Sequence, residues 1–154
     1  TSDDMHALGI ELAQLLRAGD LLVLSGPLGA GKTTLTRGIG DGLQVRGPVT
    51  SPTFVLARTH PSLVGGSPLV HVDAYRLGTD GELDDLDIDF AHSVVIAEWA
   101  APFAAAVADH WWEVEIDRGW SGTGVDTACG TSGHHVADME DAAPRHVRIS
   151  RRTA

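Results

Sequence analysis

Apolar residues in this chain gather into short uninterrupted runs, separated by polar and glycine-rich stretches, after one opening region of helical spacing. Thr1-Ser2-Asp3-Asp4 supplies hydroxyl caps and acids suited to the positive end of a helix dipole. Met5, Leu8, Leu12, Leu15 and Leu16 then recur at helical spacing, which predicts an amphipathic helix to about Arg17, ended by Ala18-Gly19-Asp20. Leu21-Leu22-Val23-Leu24, Leu69-Val70-His71-Val72-Asp73 and Val94-Val95-Ile96-Ala97-Glu98 are continuous runs of the kind found in strands buried on both faces. Trp112, Val114 and Ile116 alternate with polar residues, as do Val147 and Ile149, predicting two late antiparallel strands.

Weaker patterns fill the intervals. Val55-Leu56-Ala57 reads as the start of an extended segment, and Pro61 to Pro68 as a Gly/Ser/Pro hairpin or loop. Glu82–Phe90 alternates leucines with acids and reads as a short half-buried helix, and Ala100–Ala108 as a further helix. Asp117–Pro144 is rich in Gly, Ser, Thr and Asp without periodicity of its own, the signature of a flexible insertion.

Between the first apolar run and a predicted helix over Thr33–Leu43 lies Gly26-Pro27-Leu28-Gly29-Ala30-Gly31-Lys32-Thr33, a complete G-x-x-x-x-G-K-[ST] loop followed by Thr34. In such a loop the glycines let successive backbone N–H groups point into an anion, while the lysine supplies a compact ammonium for β- and γ-phosphates. Strand, glycine loop and helix is the context that chemistry requires, because the phosphates then face a helix N-terminus. These elements predict an α/β fold of the P-loop NTPase-like, three-layer kind, with a mostly parallel central sheet and antiparallel C-terminal strands. All 154 residues are expected to form one domain, with 117–144 as an insertion.

Composition sharpens the loop's meaning. Lys32 is the chain's sole lysine among 11 basic residues, and asparagine is absent. A lone lysine at the one position where phosphate chemistry wants an ammonium is hard to call incidental. The formal net charge is −10, which argues against independent, high-affinity binding of a polyanion, so any nucleic acid is expected to be held by a partner. The single cysteine, Cys129, cannot form an internal disulfide and fits a reducing cytosol. No signal peptide is visible, and the apolar stretch at Ala100–Ala108 contains Pro102 and falls short of the ~20 residues a membrane helix needs.

Parallel strands deliver their C-terminal ends to the ligand crevice, and two of the predicted strands end in carboxylates, Asp73 and Glu98. The Thr33 hydroxyl is the expected magnesium ligand, since Mg²⁺ takes hard oxygens and keeps several waters. Glu98 is favoured near the metal and Asp73 on the side of the water or phosphate, though spacing does not separate the two roles. Thr50, Ser51 and Thr53, stiffened by Pro52, read either as a γ-phosphate-sensing loop or as an ordinary polar turn. Arg76 reads equally as a phosphate or acid partner and as a solubilising side chain.

Other constellations fail on spacing. Cys129, His134 and His135 lack the ligand count of a structural zinc site. Asp85-Leu86-Asp87-Ile88-Asp89 opens like a calcium loop, but Phe90 and Ile96 stand where glycine and glutamate are required. Trp111 and Trp112 are read as core and edge packing, not as a base-stacking platform.

The order of blocks — the glycine loop through Thr34, then Thr50-Ser51-Pro52-Thr53-Phe54, then His71-Val72-Asp73-Ala74-Tyr75-Arg76-Leu77, then Glu98-Trp99 — resembles the TsaE family of tRNA threonylcarbamoyladenosine biosynthesis proteins. The resemblance runs from about Met5 to Phe103, with a looser match from Arg145 onward. It implies a small bacterial cytoplasmic ATPase, a monomer on its own, using ATP and Mg²⁺. Such a protein works with TsaB and TsaD, which modify the adenosine beside the anticodon, and it meets tRNA only through them. By match, Gly29, Ala30, Gly31, Lys32, Thr33 and Thr34 would hold nucleotide phosphates, and Thr33 would also ligate magnesium. Thr53 would lie in the switch loop, Asp73 and Glu98 would serve metal and hydrolysis together with Lys32, Trp99 would shape the site, and Arg145 matches a family arginine before the last strand. Pro27 replaces a common family aspartate, and the 117–144 stretch is longer than usual.

Three rivals share parts of this pattern. A small-molecule or nucleotide kinase usually adds an arginine-bearing lid, yet no arginine lies between Arg76 and Glu98. A Ras-like GTPase reads guanine with Asn-Lys-x-Asp, which a chain without asparagine cannot contain. An assembly module that binds ATP without significant catalysis needs the same loop.

Overall fold

The computed structural model describes residues 1–79, 82–83, 85–118 and 144–154. Helix α1 (Ser2–Ala13) starts at Thr1, whose hydroxyl oxygen accepts from the Asp4 amide at 3.2 Å in a capping box. It ends four residues before the predicted Arg17. The chain past Ala13 tightens into three-residue turns, Gln14 N–H bonding Glu11 O and Leu15 N–H bonding Leu12 O, which swings Leu15 into solvent. Strand β1 (Leu21–Ser25) leads through the glycine loop into α2 (Lys32–Gly42). Strands β2 (Ala57–His60) and β3 (Leu69–Asp73) form an antiparallel pair joined by residues 61–68, the hairpin that the Gly/Ser/Pro stretch implied.

Strand β4 (Val94–Glu98) has the bounds that its apolar run predicts. The Ala100–Ala108 stretch is helical only at Ala104–Val107, because Ala101–Phe103 form a turn around Pro102. In the predicted Glu82–Phe90 helix, Glu82 and Leu83 are helical but Asp85 and Leu86 form a turn and Asp87 adopts φ 49°, so the helix does not continue. Strands β5 (His110–Arg118) and β6 (Arg145–Thr153) close the sheet as an antiparallel pair. Asp117 and Arg118 therefore belong to a strand, where the sequence pattern had placed the insertion's start. Residues 119–143 of that stretch, with Cys129, His134 and His135, lie outside the described residues.

The six strands run β2-β3-β4-β1-β5-β6. β1 is parallel to both β4 and β5, and β3 is parallel to β4, leaving the antiparallel strands at the two edges. Strand periodicity then decides which side chains share a face. Leu22, Leu24, Val94, Ile96, Leu69, Val114 and Ile116 pack with Leu35 and Ile39 of α2 and Met5 and Ala13 of α1. Leu21, Val23, Val70, Val72, Val95 and Ala97 pack on the opposite face with Leu83, Ala100 and Ala104. Among the described residues that second face is covered by turns, the helical residues Glu82 and Leu83 and the short Ala104–Val107 helix, a thinner layer than the α1–α2 side.

The two helices approach closely. A Cβ added to Gly38 would collide with the His6 carbonyl oxygen of α1, so only glycine permits this contact. Among the described residues no helix is long and apolar enough to cross a membrane.

Candidate functional site

Register brings the two predicted carboxylates together. Asp73 and Glu98 are Cα partners at the ends of β3 and β4, and Glu98 is also the partner of Leu24 at the end of β1. Because Val94 and Ile96 face α2, two-residue alternation turns Glu98 toward the same helix. There the Thr33 hydroxyl, in the first turn of α2, donates to Glu98 Oε1 at 3.1 Å. Glu98 is almost wholly buried, and its Oε1 also accepts from His71 Nε2 at 2.9 Å.

Gly31 caps α2 with φ 109° and no side-chain hydrogen bond, leaving the helix's leading N–H groups without a side-chain partner. A β-carbon at that φ would be strained, so glycine is what lets the loop present its amides as a cradle. Lys32 is only 5% exposed and donates from Nζ to the carbonyls of Gly26 at 2.8 Å and Pro27 at 3.0 Å. The ammonium also lies 4.1 Å from the centre of the Trp99 ring, a cation–π contact. Burial pushes the Lys32 pKa down from its ordinary value, and the charges of Glu98 and Asp73 oppose that shift without cancelling it.

Trp99 follows β4 with φ 65°, a conformation costly for a bulky residue. Its N–H bonds to Leu24 O at 3.2 Å, and its ring meets Tyr75 edge-on at 5.4 Å and 64°. The left-handed turn thus folds the indole back over the lysine.

Asp73 is held from two sides. The Thr53 hydroxyl donates to Oδ2 at 2.8 Å, and the Tyr75 N–H donates to Oδ1 at 3.0 Å. With the Thr53 proton committed to Asp73, Ser51 donates to Thr53 Oγ1 at 2.7 Å. Arg76 donates to the Thr53 carbonyl. The Thr50–Thr53 stretch is therefore tied to the end of β3 by side-chain hydrogen bonds, more than an isolated polar turn requires.

One cleft of about 300 Å³ is lined by Gly29, Gly31, Lys32, Thr33, Thr34, Thr53, Asp73, Glu98, Trp99 and Arg145. Of the residues assigned to the site by resemblance, Ala30 alone is absent from that lining, being fully buried beneath the loop, and Thr50 and Arg76, weighed as phosphate-side groups, also lie outside it. Two residues went unassigned on sequence. Arg118, the register partner of Arg145, has its guanidinium within 3.6 Å of where a Cβ on Gly29 would lie. A basic residue ending a strand carries no signal of its own until the sheet places it over the loop. His71 was part of a recognised block, but its apolar surroundings read as strand core. Nearby, His60 is buried with a lowered pKa, chiefly from desolvation, and lies 3.3 Å from the Arg46 carbonyl through Nδ1.

Strand, glycine loop, helix and two strand-end carboxylates define a P-loop α/β protein. The family profile "Threonylcarbamoyl adenosine biosynthesis protein TsaE" matches residues 1–123, and the chain belongs to that family. It is 59% identical over 117 residues to the tRNA threonylcarbamoyladenosine biosynthesis protein TsaE of Streptomyces coelicolor, covering 74% of this chain and 79% of that one. The Mycobacterium leprae protein of the same name is 49% identical over 125 residues, with 75% and 78% covered. Among solved structures, the fold matches a crystal structure of YdiB from Bacillus subtilis with a TM-score of 0.61 and 29% identity, covering 77% of this chain and 72% of that chain.

Proposed function

We propose that this chain is a Mg²⁺-dependent ATPase that supports N6-threonylcarbamoyladenosine formation on tRNA, acting with TsaB and TsaD and transferring no group itself. The observation that carries the reading is the Thr33–Glu98 hydrogen bond, which joins the end of the phosphate loop to a buried strand-end carboxylate beside Asp73. Family membership supports the pathway. In this reading the amides around Gly31 and the Lys32 ammonium hold the triphosphate tail, exchanging the Gly26 and Pro27 carbonyls for phosphate oxygens. Trp99 keeps Lys32 in place from above, and Asp73, oriented by Thr53 and Tyr75, aligns the attacking water and accepts its proton.

The donor set suits magnesium. Among the described residues no cluster of three or more His, Cys, Asp or Glu could hold a metal alone, but Mg²⁺ characteristically uses one or two carboxylates with substrate phosphates. Thr33 and Glu98 would hold it, and when bound it would neutralise charge developing on the phosphates. Partner dependence is supported by the sensing loop itself, where Phe54, next to Thr53, is 92% exposed and Val55 is also exposed. An aromatic side chain so bare, one residue from the Asp73 contact, suits a surface that a partner covers.

The test is hydrolysis of ATP and of GTP by the chain alone and with TsaB, TsaD and tRNA. Slow ATP turnover that rises with the partners, and little GTP turnover, is expected. ATP binding without hydrolysis under every condition would favour the assembly module, and phosphate transfer to a small acceptor would favour a kinase.

A further inference from the structure

We infer that His71 is a positioning residue for the hydrolysis proposed above, acting through Glu98 and not by touching nucleotide. The inference rests on that ATPase reading. His71 is completely buried and lies outside the residues that line the cleft. Its Nε2 sits 2.9 Å from Glu98 Oε1, and because an ionised carboxylate only accepts, Nε2 carries the proton and donates.

The geometry separates the two donors to Glu98. Thr33 and His71 converge on the same oxygen, at 3.1 Å and 2.9 Å. Thr33 lies in the cleft, so its hydroxyl is the donor that bound ligand would recruit. His71 has no such alternative. It is fixed in the middle of β3, paired with Ile96 in register, two residues before Asp73 on the same strand face. One strand face thus presents a carboxylate to the cleft at Asp73 and, one step deeper, clamps the carboxylate of the neighbouring strand.

Burying Glu98 without donors would be costly and would leave its side chain free to rotate away from Thr33. A donor rooted in the sheet supplies the missing partner and fixes the carboxylate plane, as groups behind metal-binding carboxylates commonly do. The nearly apolar strand around His71 explains why it resembles a core residue: the buried imidazole hydrogen-bonds through Nε2 to Glu98, while its buried Nδ1 has no hydrogen-bond partner among the described residues.

Three variants of the full chain test this. His71→Leu keeps bulk but loses the donor, His71→Gln places an amide N–H near the Nε2 position, and His71→Asn offers an amide too short to reach. Each is measured for thermal midpoint, ATP affinity without metal, Mg²⁺ dependence of ATP affinity, and turnover with TsaB and TsaD. Loss of the donor should lower turnover by roughly 10- to 100-fold and raise the Mg²⁺ needed by a similar factor, with metal-free ATP affinity unchanged. His71→Gln should recover most of both, and His71→Asn neither. His71→Asn and His71→Gln decide the question should His71→Leu fail to fold.

Wild-type turnover and Mg²⁺ dependence in the variants that lack the donor would overturn the inference. So would equal impairment of the Gln and Asn variants in step with lost thermal stability. A wild-type chain that never hydrolyses ATP would sink the ATPase reading instead. The positioning role would then stand or fall on whether the Mg²⁺ dependence of ATP affinity shifts in His71→Asn and returns in His71→Gln.

Discussion

Thr33 and Glu98, 65 residues apart in sequence, meet at 3.1 Å where the first turn of α2 passes the end of β4. If the pair acts as one unit in hydrolysis, its members cannot contribute independently. Thr33→Ser, which keeps the hydroxyl, should retain turnover within a few-fold. Thr33→Val and Glu98→Gln should each retain ATP binding and lose about 10²-fold or more in turnover, with the double variant little worse than either single one. Steady-state kinetics with nucleotide affinity measured separately checks this, and multiplicative losses would show that the two act apart.

Lys32 carries a pH signature. Its pKa is lowered by burial, so the folded protein releases the ammonium proton at a lower pH than an unfolded lysine, near 10.5, would. Burying the charged form costs stability below the folded pKa, and that cost fades as pH rises between the two values. Nucleotide affinity should move the opposite way, falling across that alkaline window as the ammonium is lost. Phosphate binding in the window should draw a proton from buffer, measurable as a calorimetric heat that varies with buffer ionisation enthalpy. Lys32→Arg should bind more weakly yet show no such decline, and Lys32→Ala should lose about 10-fold or more in affinity. Affinity flat to pH 10.5 would count against the ammonium as phosphate ligand.

The Thr53–Asp73 and Arg76–Thr53 bonds tie the Thr50–Thr53 stretch to the end of β3, and if this stretch senses the γ-phosphate in the proposed cycle, those bonds should control its response. Thr53→Val and Arg76→Ala should leave metal-free ATP affinity within about threefold. Both should make this stretch more sensitive to limited proteolysis, and should weaken the protection that ATP with Mg²⁺ confers. Unchanged cleavage patterns in both variants would reduce the loop to a passive turn.

Phe54 offers a way to separate the proposed partner contact from chemistry. Phe54→Ser removes a large exposed apolar side chain without touching the cleft lining. Basal ATP turnover should remain, while stimulation by TsaB and TsaD should drop by at least about tenfold, the size expected for truncating an aromatic anchor. Full stimulation of the variant would place the partner surface elsewhere.

Gly38 reports on the scaffold alone. Gly38→Ala forces a methyl against the His6 carbonyl oxygen, which should cost about 1–3 kcal/mol of stability through separation of α1 from α2. A denaturant midpoint shift with ATP affinity of the folded fraction preserved is the expected result.

Much of this was legible in linear order because the chemistry is local. The glycine loop, its lone lysine and the two acid-ended strands are contiguous motifs, and β3 and β4 begin and end where their apolar runs do. Helix limits were less legible. Leu15 fits the helical period but is turned outward by the tightened end of α1, and Pro102 cuts the alanine-rich stretch to one helical turn. Neither event leaves a mark in hydrophobic spacing.

The sequence by itself determined the class of chemistry, since a phosphate cradle needs its glycines, ammonium and hydroxyl within a few consecutive residues. Only the tertiary structure decided which groups act on one another. Strand order set β4 beside β1, and register with face alternation then aimed Glu98 at Thr33, hid His71 behind it and laid Arg118 and Arg145 near the loop. Those relations depend on strand pairings that linear spacing does not encode, because the same apolar runs could be assembled in many orders and only long-range packing selects one.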